Sequence, residues 1–164
     1  MGNNLQSRHY YLIDTSAFCR YVELESNSNI ISNFQNSCFY YIPQFCIAEV
    51  FNTFAKWYYS EDKISPEKYE ELCKIFKKLI RNRFVFYPYD LHRYHNLNCD
   101  KIYEVEHKTP AQKKGKLSTF DILILAMAIE LQTIHGNDNI TILSCDKRIL
   151  EIAKLLNIIA EPYQ

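Results

Sequence analysis

Four acidic side chains occupy positions where a carboxylate is unusual. Asp14 and Asp146 follow the ends of two short apolar runs, YYLI and ITILS, and Glu49 and Asp121 lie inside apolar, helix-like stretches. A lone carboxylate in such surroundings costs several kcal/mol unless it is paired or bound to a cation. Carboxylate oxygens are ligands that suit hard divalent cations. The four residues therefore predict a shared site for a hard divalent cation.

A cluster of four carboxylates that binds a cation is compatible with hydrolytic chemistry. The carboxylates repel one another, and a cation relieves that repulsion. A bound metal ion can lower the pKa of a water ligand and stabilise charge on a phosphodiester. Two ions about 4 Å apart could clamp the attacking and leaving oxygens, whereas one ion would need fewer ligands, and the sequence leaves both arrangements open. The neighbouring hydroxyls of Ser16 and Ser144 are predicted to orient a carboxylate or a water molecule, with helix capping as the alternative.

Each acid also has a purely structural interpretation. Asp146 can be the N-cap of a helix, and Asp121, three residues after Ser118, can complete a capping box. Glu49 can pair with Lys56, and the acid after YYLI can belong to a turn. Four residues with these surroundings nevertheless favour one common site over four unrelated local roles.

The segments between and around the acids predict the elements that position them. Short, nearly continuous apolar runs indicate strands covered on both faces, at 10–13, 38–42, 84–87, 140–144 and 158–160. Helical periodicity and capping residues predict helices at about 44–59, 66–83, 90–106, 120–134 and 147–156. This alternation predicts an α/β fold with a mostly parallel sheet. Because such sheets bind ligands beyond the carboxyl ends of their strands, Asp14 and Asp146 stand where a site is expected.

The four acidic segments, taken in order, resemble the motifs of PIN-domain nucleases. The matching stretches are LIDTSAF, IAEVF, FDILILAMAIEL and LSCDKRIL, and together they span nearly the whole chain. The resemblance implies a three-layer α/β/α sandwich in which Asp14, Glu49, Asp121 and Asp146 converge on one or two Mg²⁺ or Mn²⁺ ions. It also implies RNA as the substrate and frequent homodimers, and many small members are toxins held inactive by an antitoxin protein.

Two activities follow from this resemblance, and they belong to different classes. The first is a metal-dependent endoribonuclease, which the presence of all four acids favours. The second is a catalytically inactive PIN-like module that binds RNA or a protein partner. Tight Mn²⁺ binding would distinguish them.

A basic stretch directly before Asp121 is the candidate for substrate contact. Lys113, Lys114 and Lys116 lie in a predicted loop and can reach backbone phosphates. Solvated loop charge is the alternative. A second candidate surface is a basic helix face formed by Lys74, Lys77, Lys78 and Arg81. The net charge is zero, from 19 basic and 19 acidic residues, which argues against a broad nucleic-acid-binding surface.

The length of 164 residues suits one domain, which is predicted over 8–164 after a polar tail at 1–7. The region 60–116 makes the chain longer than the compact toxin members that it resembles. Its two predicted helices are expected to form an enlarged helical clip within the domain.

Composition argues against several other classes of protein. No apolar run approaches the ~18 residues of a membrane span. The six cysteines form no CxxC pair, so they are predicted to be buried, reduced thiols of a cytoplasmic protein. Neither GxGxxG nor GxxxxGK[ST] occurs, so no nucleotide cofactor is expected. Zinc is disfavoured because no second ligand pair accompanies the residues that could begin a site, His92, His95, Cys99 and His107.

Overall fold

The computed structural model describes residues 9–24, 38–82, 84–90, 98–109 and 116–162. The predicted tail at 1–7 and two of the candidate substrate contacts, Lys113 and Lys114, lie outside these residues. No helix among the described segments combines the length and the apolar character needed to cross a membrane.

The described chain alternates strands with helices, and most elements lie where the sequence predicts them. The strands are β1 (Tyr10–Ile13), β2 (Phe39–Pro43), β3 (Phe84–Tyr87), β4 (Ile140–Leu143) and β5 (Ile159–Glu161). The helices are α1 (Thr15–Leu24), α2 (Gln44–Tyr59), α3 (Pro66–Asn82), α4 (Asp100–Lys108), α5 (Thr119–His135) and α6 (Lys147–Leu155). The predicted helix at 90–106 is seen only from residue 98, as a π-helical turn at 98–99 followed by α4, since Asp90 is not helical and 91–97 lie outside the described residues.

The five strands form one sheet in the order β3-β2-β1-β4-β5, and every neighbouring pair is parallel. The chain moves outward in one direction from β1 to β3, then crosses to β4 and continues to β5. Right-handed crossovers in these opposite directions place α1, α2 and α3 on one face and α4, α5 and α6 on the other. The helix contacts agree, because α2 packs against α1 and α3 whereas α4 packs against α5 and α6. The three-layer α/β/α sandwich is therefore confirmed.

This strand order creates a topological switch point between β1 and β4. The connections leaving these two strands run to opposite faces, so their carboxyl ends border a crevice. Asp14 directly follows β1, and Asp146 follows β4 by three residues. The fold thus brings two of the four candidate acids to one edge of the sheet.

An aromatic cluster holds the helices on the α2 face. Phe18 of α1 lies against Phe76 of α3 with ring centroids 4.6 Å apart, and Phe76 also contacts Phe51 and Phe54 of α2. Phe54 and Phe76 are fully buried. The cluster therefore fixes α2, which carries Glu49, relative to α1 and α3. On the opposite face α5 is buried along 122–128, because it lies between the sheet and two further helices.

All six cysteines lie within the described residues, and they are thiols rather than disulfides, as predicted. Their predicted burial is only partly correct. Cys19, Cys46 and Cys99 are buried, whereas Cys38, Cys73 and Cys145 are half-buried. Burial raises the pKa of the Cys46 thiol strongly, so this cysteine stays protonated at neutral pH.

Candidate active site

All four predicted acids line one cavity of about 300 Å³ at the switch point. Asp14 and Asp146 reach it from the ends of β1 and β4. Glu49 enters from α2, which covers one face of the sheet, and Asp121 enters from the first turn of α5, which covers the other. Residues separated by up to 132 positions in the chain therefore share one small space. The convergence follows from the topology rather than from any local motif.

Asp14 is the most enclosed of the four, with 6% of its surface exposed. The hydroxyls of Ser16 and Ser144 both donate to its Oδ2 atom, the second at 2.8 Å. The same two hydroxyls accept backbone N–H groups from Cys145 at 2.9 Å and Asp146 at 3.0 Å. The backbone N–H of Asp14 also donates to the Leu143 carbonyl at 3.0 Å. These bonds tie the end of β1 to the end of β4 and hold the carboxylate in place.

The surroundings of Asp14 disfavour its negative charge. Burial is the largest cause and raises the pKa of its carboxyl, and the charges of Asp121 and Glu49 raise it further. The hydrogen bonds from Ser16 and Ser144 act in the opposite direction but do not reverse the shift. An acid of this kind is stabilised in its ionised form when a cation lies beside it.

Glu49 is half-buried and accepts a hydrogen bond from the Thr15 hydroxyl at 2.7 Å. This contact joins the first residue of α1 to the second turn of α2. The alternative in which Glu49 pairs with Lys56 is wrong, because Lys56 lies 3.2 Å from Glu61 instead.

The structural interpretations of the other two acids are confirmed. Asp121 forms a full capping box, since Ser118 N–H donates to its Oδ2 at 2.7 Å and its own N–H donates to the Ser118 hydroxyl. Asp146 is the N-cap of α6, and its Oδ1 accepts the backbone N–H groups of Arg148 and Ile149. Each cap uses one carboxylate oxygen. Capping and lining the cavity are therefore compatible for both residues.

A family model described as the PIN domain matches residues 11–164. The chain belongs to the PIN-domain family. No curated protein matches the sequence as a relative.

Solved structures with the same fold as this PIN domain come from several organisms. VapBC2 from Rickettsia felis bound to a promoter DNA fragment matches with a TM-score of 0.54 at 19% identity, covering 94% of this chain and 99% of that one. DNA-bound VapBC from Salmonella typhimurium matches with a TM-score of 0.59 at 13% identity, covering 95% and 99%. PAE2754 from Pyrobaculum aerophilum matches with a TM-score of 0.53 at 15% identity, covering 97% and 90%. At these identities the likeness extends to the fold alone.

The donor chemistry of this PIN domain's cavity fits a hard divalent cation. Four carboxylates line it, with the hydroxyls of Thr15 and Ser16 beside them. Within the described segments, no three His, Cys, Asp or Glu side chains are close enough together to hold one metal ion in this conformation. A cation would therefore need to draw the carboxylates closer together. Of the residues considered for zinc, Cys99 is buried, His107 is exposed, and His92 and His95 lie outside the described residues.

Three side chains that the sequence did not single out also line the cavity of the PIN domain. They are Thr53, Phe120 and Ile124. Phe120 is 44% exposed and stacks on Phe45 with ring centroids 5.0 Å apart. Its position immediately before Asp121 was the available signal, but an apolar residue in an apolar helix suggests core packing.

Ser144→Ala is expected to lower the free energy of unfolding by about 1–2 kcal/mol, because Ser144 is fully buried and bonds Asp14 and the Asp146 backbone. The loss should be larger at neutral pH than in acid. Removing a bond that lowers the pKa of Asp14 raises that pKa further, and the cost of ionising Asp14 in the folded state then grows. Urea unfolding of the metal-free protein from pH 3 to pH 7 measures this, with exposed Ser60→Ala as the control. A loss of stability for Ser144→Ala that is the same at every pH would contradict the assigned effect of Ser144 on the pKa of Asp14.

Proposed function

We propose that this PIN domain is a metal-dependent endoribonuclease that hydrolyses RNA phosphodiester bonds at the cavity lined by Asp14, Glu49, Asp121 and Asp146. The observation that carries the proposal is the convergence of four carboxylates on one cavity, from both strands at the switch point and from both helical layers. The raised pKa of the buried Asp14 supports it, because a cation would stabilise this carboxylate.

Carboxylates would bind Mg²⁺ or Mn²⁺, and neighbouring hydroxyls would position those carboxylates. All four carboxylates would supply oxygen ligands, with Asp14 fixed by Ser16 and Ser144 and with Glu49 fixed by Thr15. When bound, the cation supplies a water molecule of lowered pKa and neutralises charge on the phosphodiester. The backbone bonds that cap α5 and α6 keep Asp121 and Asp146 at the rim of the cavity before a cation arrives.

We further propose that the chain acts as the toxin of a toxin–antitoxin pair and that it forms homodimers. The support is the fold, which it shares with proteins solved as VapBC from Rickettsia felis and Salmonella typhimurium. An antitoxin protein would then be its partner and RNA its substrate.

A second candidate function is a catalytically inactive PIN-like module that binds RNA or a protein. The spacing of the described carboxylates favours it, because no three of them form a ready metal cluster in this conformation.

Metal titration followed by an RNA cleavage assay separates the two functions. For the nuclease we expect Mn²⁺ to bind in calorimetry, to raise the melting temperature, and to permit internal cleavage of a single-stranded RNA that stops when EDTA is added. Metal binding without cleavage, or neither effect, would leave the inactive module. The same assay on a DNA strand of equal sequence measures the preference for RNA.

The basic residues before α5 provide a separate prediction about substrate binding. Changing Lys113, Lys114 and Lys116 together to Gln should weaken RNA binding. The slope of log affinity against log salt concentration should become less steep by about 0.7 for each phosphate contact that is lost. Metal affinity should stay unchanged, because lysines supply no oxygen ligand.

The measurement is RNA binding with Ca²⁺ in place of the catalytic metal, at several salt concentrations. The matched control is the triple change of Lys74, Lys77 and Lys78 to Gln on the exposed face of α3. If only the control flattens the salt dependence, the substrate follows α3 instead.

A further inference from the structure

A second cavity of about 300 Å³ is lined by residues that lie close in sequence to two of the four acids. Its walls come from α4, from the chain just before α5, and from the first turn of α6. The starts of two helices, α5 and α6, contribute residues to both cavities. Leu117 of the second cavity directly precedes Ser118, whose backbone bonds Asp121, and Arg148 lies two residues after Asp146.

Arg148 is the unusual residue of this second cavity, because it is a cation with only 4% of its surface exposed. Its Nη1 donates to Glu151 Oε2 at 2.9 Å, which accounts for one edge of the guanidinium. Its Nε is buried and has no hydrogen-bond acceptor among the residues that the structure describes. Leaving a buried donor unpaired costs about 1–3 kcal/mol, and more when the group is charged. An acceptor inside the cavity would remove this cost.

The other polar groups of the cavity indicate the kind of acceptor. Lys116 and His107 are exposed at its wall and contribute donors, and Thr109 adds a hydroxyl. Glu106 is buried and its Oε1 accepts the Leu117 N–H at 2.6 Å, so this acid is engaged in fixing the chain that leads into α5. A guanidinium next to a primary ammonium matches an anion that offers several oxygens, and phosphate is the group that arginine binds through paired donors.

We infer that this second cavity binds one backbone phosphate of the RNA strand whose neighbouring phosphodiester lies at the acid-lined cavity. Arg148 Nε donates to the phosphate from within, and Lys116 donates from the mouth. The choice of RNA as the source of the phosphate rests on the proposed function. The cavity would place the strand in register with the four carboxylates, without taking part in bond breaking.

The direct test observes the Nε–H of Arg148 by ¹⁵N–¹H NMR in the presence of EDTA. Inorganic phosphate and a short single-stranded RNA should each shift this signal, whereas chloride at the same ionic strength should not. A signal that neither ligand moves would show that the cavity holds only water and would overturn the inference. Movement with inorganic phosphate but not with RNA would overturn the assignment to the substrate strand.

Two variants test the same site through RNA binding. Lys116→Gln, at an exposed position, should lower the salt slope of RNA affinity by about 0.7. Arg148→Lys keeps the charge but loses the paired donors, and we expect RNA affinity to fall about tenfold and KM to rise with kcat nearly unchanged. Lys154→Gln, exposed on the same helix but outside the cavity, is the matched control.

Folding of the Arg148→Lys protein is checked by circular dichroism, and Lys116→Gln keeps the test decisive if that protein is unstable. Equal salt slopes and affinities for Lys116→Gln and Lys154→Gln would count against the inference. So would a Lys116→Gln protein that binds RNA normally but loses affinity for an acidic antitoxin peptide, since the cavity would then serve a protein carboxylate.

The inference and the proposed activity can fail separately. If RNA shifts the Nε–H signal of Arg148 in the wild-type protein but no metal-dependent cleavage is seen, the phosphate site is supported and the proposed nuclease activity is refuted. If the protein cleaves RNA but the Arg148 signal does not move and the Lys116→Gln and Arg148→Lys proteins bind RNA normally, the nuclease activity is supported and the phosphate site is refuted.

Discussion

Asp14→Asn is expected to reduce metal-dependent RNA cleavage by about 100-fold or more while making the metal-free protein more stable at neutral pH. Changes to groups that merely support a metal ligand commonly cost 10–100-fold, so the loss of a central ligand should cost at least as much. Stability should rise because the change removes a buried charge that repels Asp121 and Glu49. The amide oxygen can still accept hydrogen bonds from Ser16 and Ser144.

The pH dependence of this gain has a definite sign. The pKa of Asp14 is raised in the folded protein, so its contribution to the free energy of unfolding is complete below the ordinary aspartate range and is lost as the pH rises through the folded-state pKa. Asn does not ionise, so the variant keeps the stability that the wild type loses as the pH rises. The two proteins should converge in acid and diverge towards pH 7.

Urea unfolding in EDTA between pH 3 and pH 7 checks the stability, and cleavage of a labelled RNA with Mn²⁺ checks the activity. Asp138→Asn is the control, because Asp138 is an exposed acid in the turn before β4. A variant that is clearly less stable than the wild type at pH 7 would show that Asp14 is structural. Asp121→Asn should differ, because it also weakens a capping box and should cost about 0.5–1 kcal/mol of stability.

Phe76→Ala is expected to lower the free energy of unfolding by about 3–5 kcal/mol, the largest stability effect that we predict. Phe76 is fully buried and contacts aromatic rings of both α1 and α2, so its removal leaves a cavity between three helices. The midpoint of urea unfolding should fall with little change in slope. Lys78→Ala, exposed on the same helix, should stay within about 0.5 kcal/mol of the wild type. A loss below about 1 kcal/mol for Phe76→Ala would mean that α3 repacks freely.

Most of the fold could be predicted from local patterns. β1 at Tyr10–Ile13 and α2 at Gln44–Tyr59 have the predicted bounds, because an apolar run and a helical stripe are properties of neighbouring residues. Helix α1 was not delimited in advance. It starts at Thr15, with only Asp14 between it and the end of β1, so no separate turn marks the change.

The site was predictable only in part. Asp14 and Asp146 could be placed because strand ends in a parallel sheet share an edge. The two roles of Asp146, as N-cap and as cavity wall, could not be separated, since both need the same residue at the same position. The burial of Arg148 was also hidden, because a basic residue next to Lys147 suggests a solvated surface. Its enclosure depends on α4, which is distant in sequence and packs against α6.

The hydrogen bonds between the ends of β1 and β4 have a consequence for a chain that is still being synthesised. Asp14 is translated early, whereas Ser144 and Asp146, which bond or border it, emerge some 130 residues later. Before then the central strand β1 lacks one of its two neighbours, and its carboxylate has no fixed surroundings. Contacts between residues so far apart form late. A ribosome-bound chain therefore carries no complete acid-lined cavity until β4 has joined the sheet beside β1.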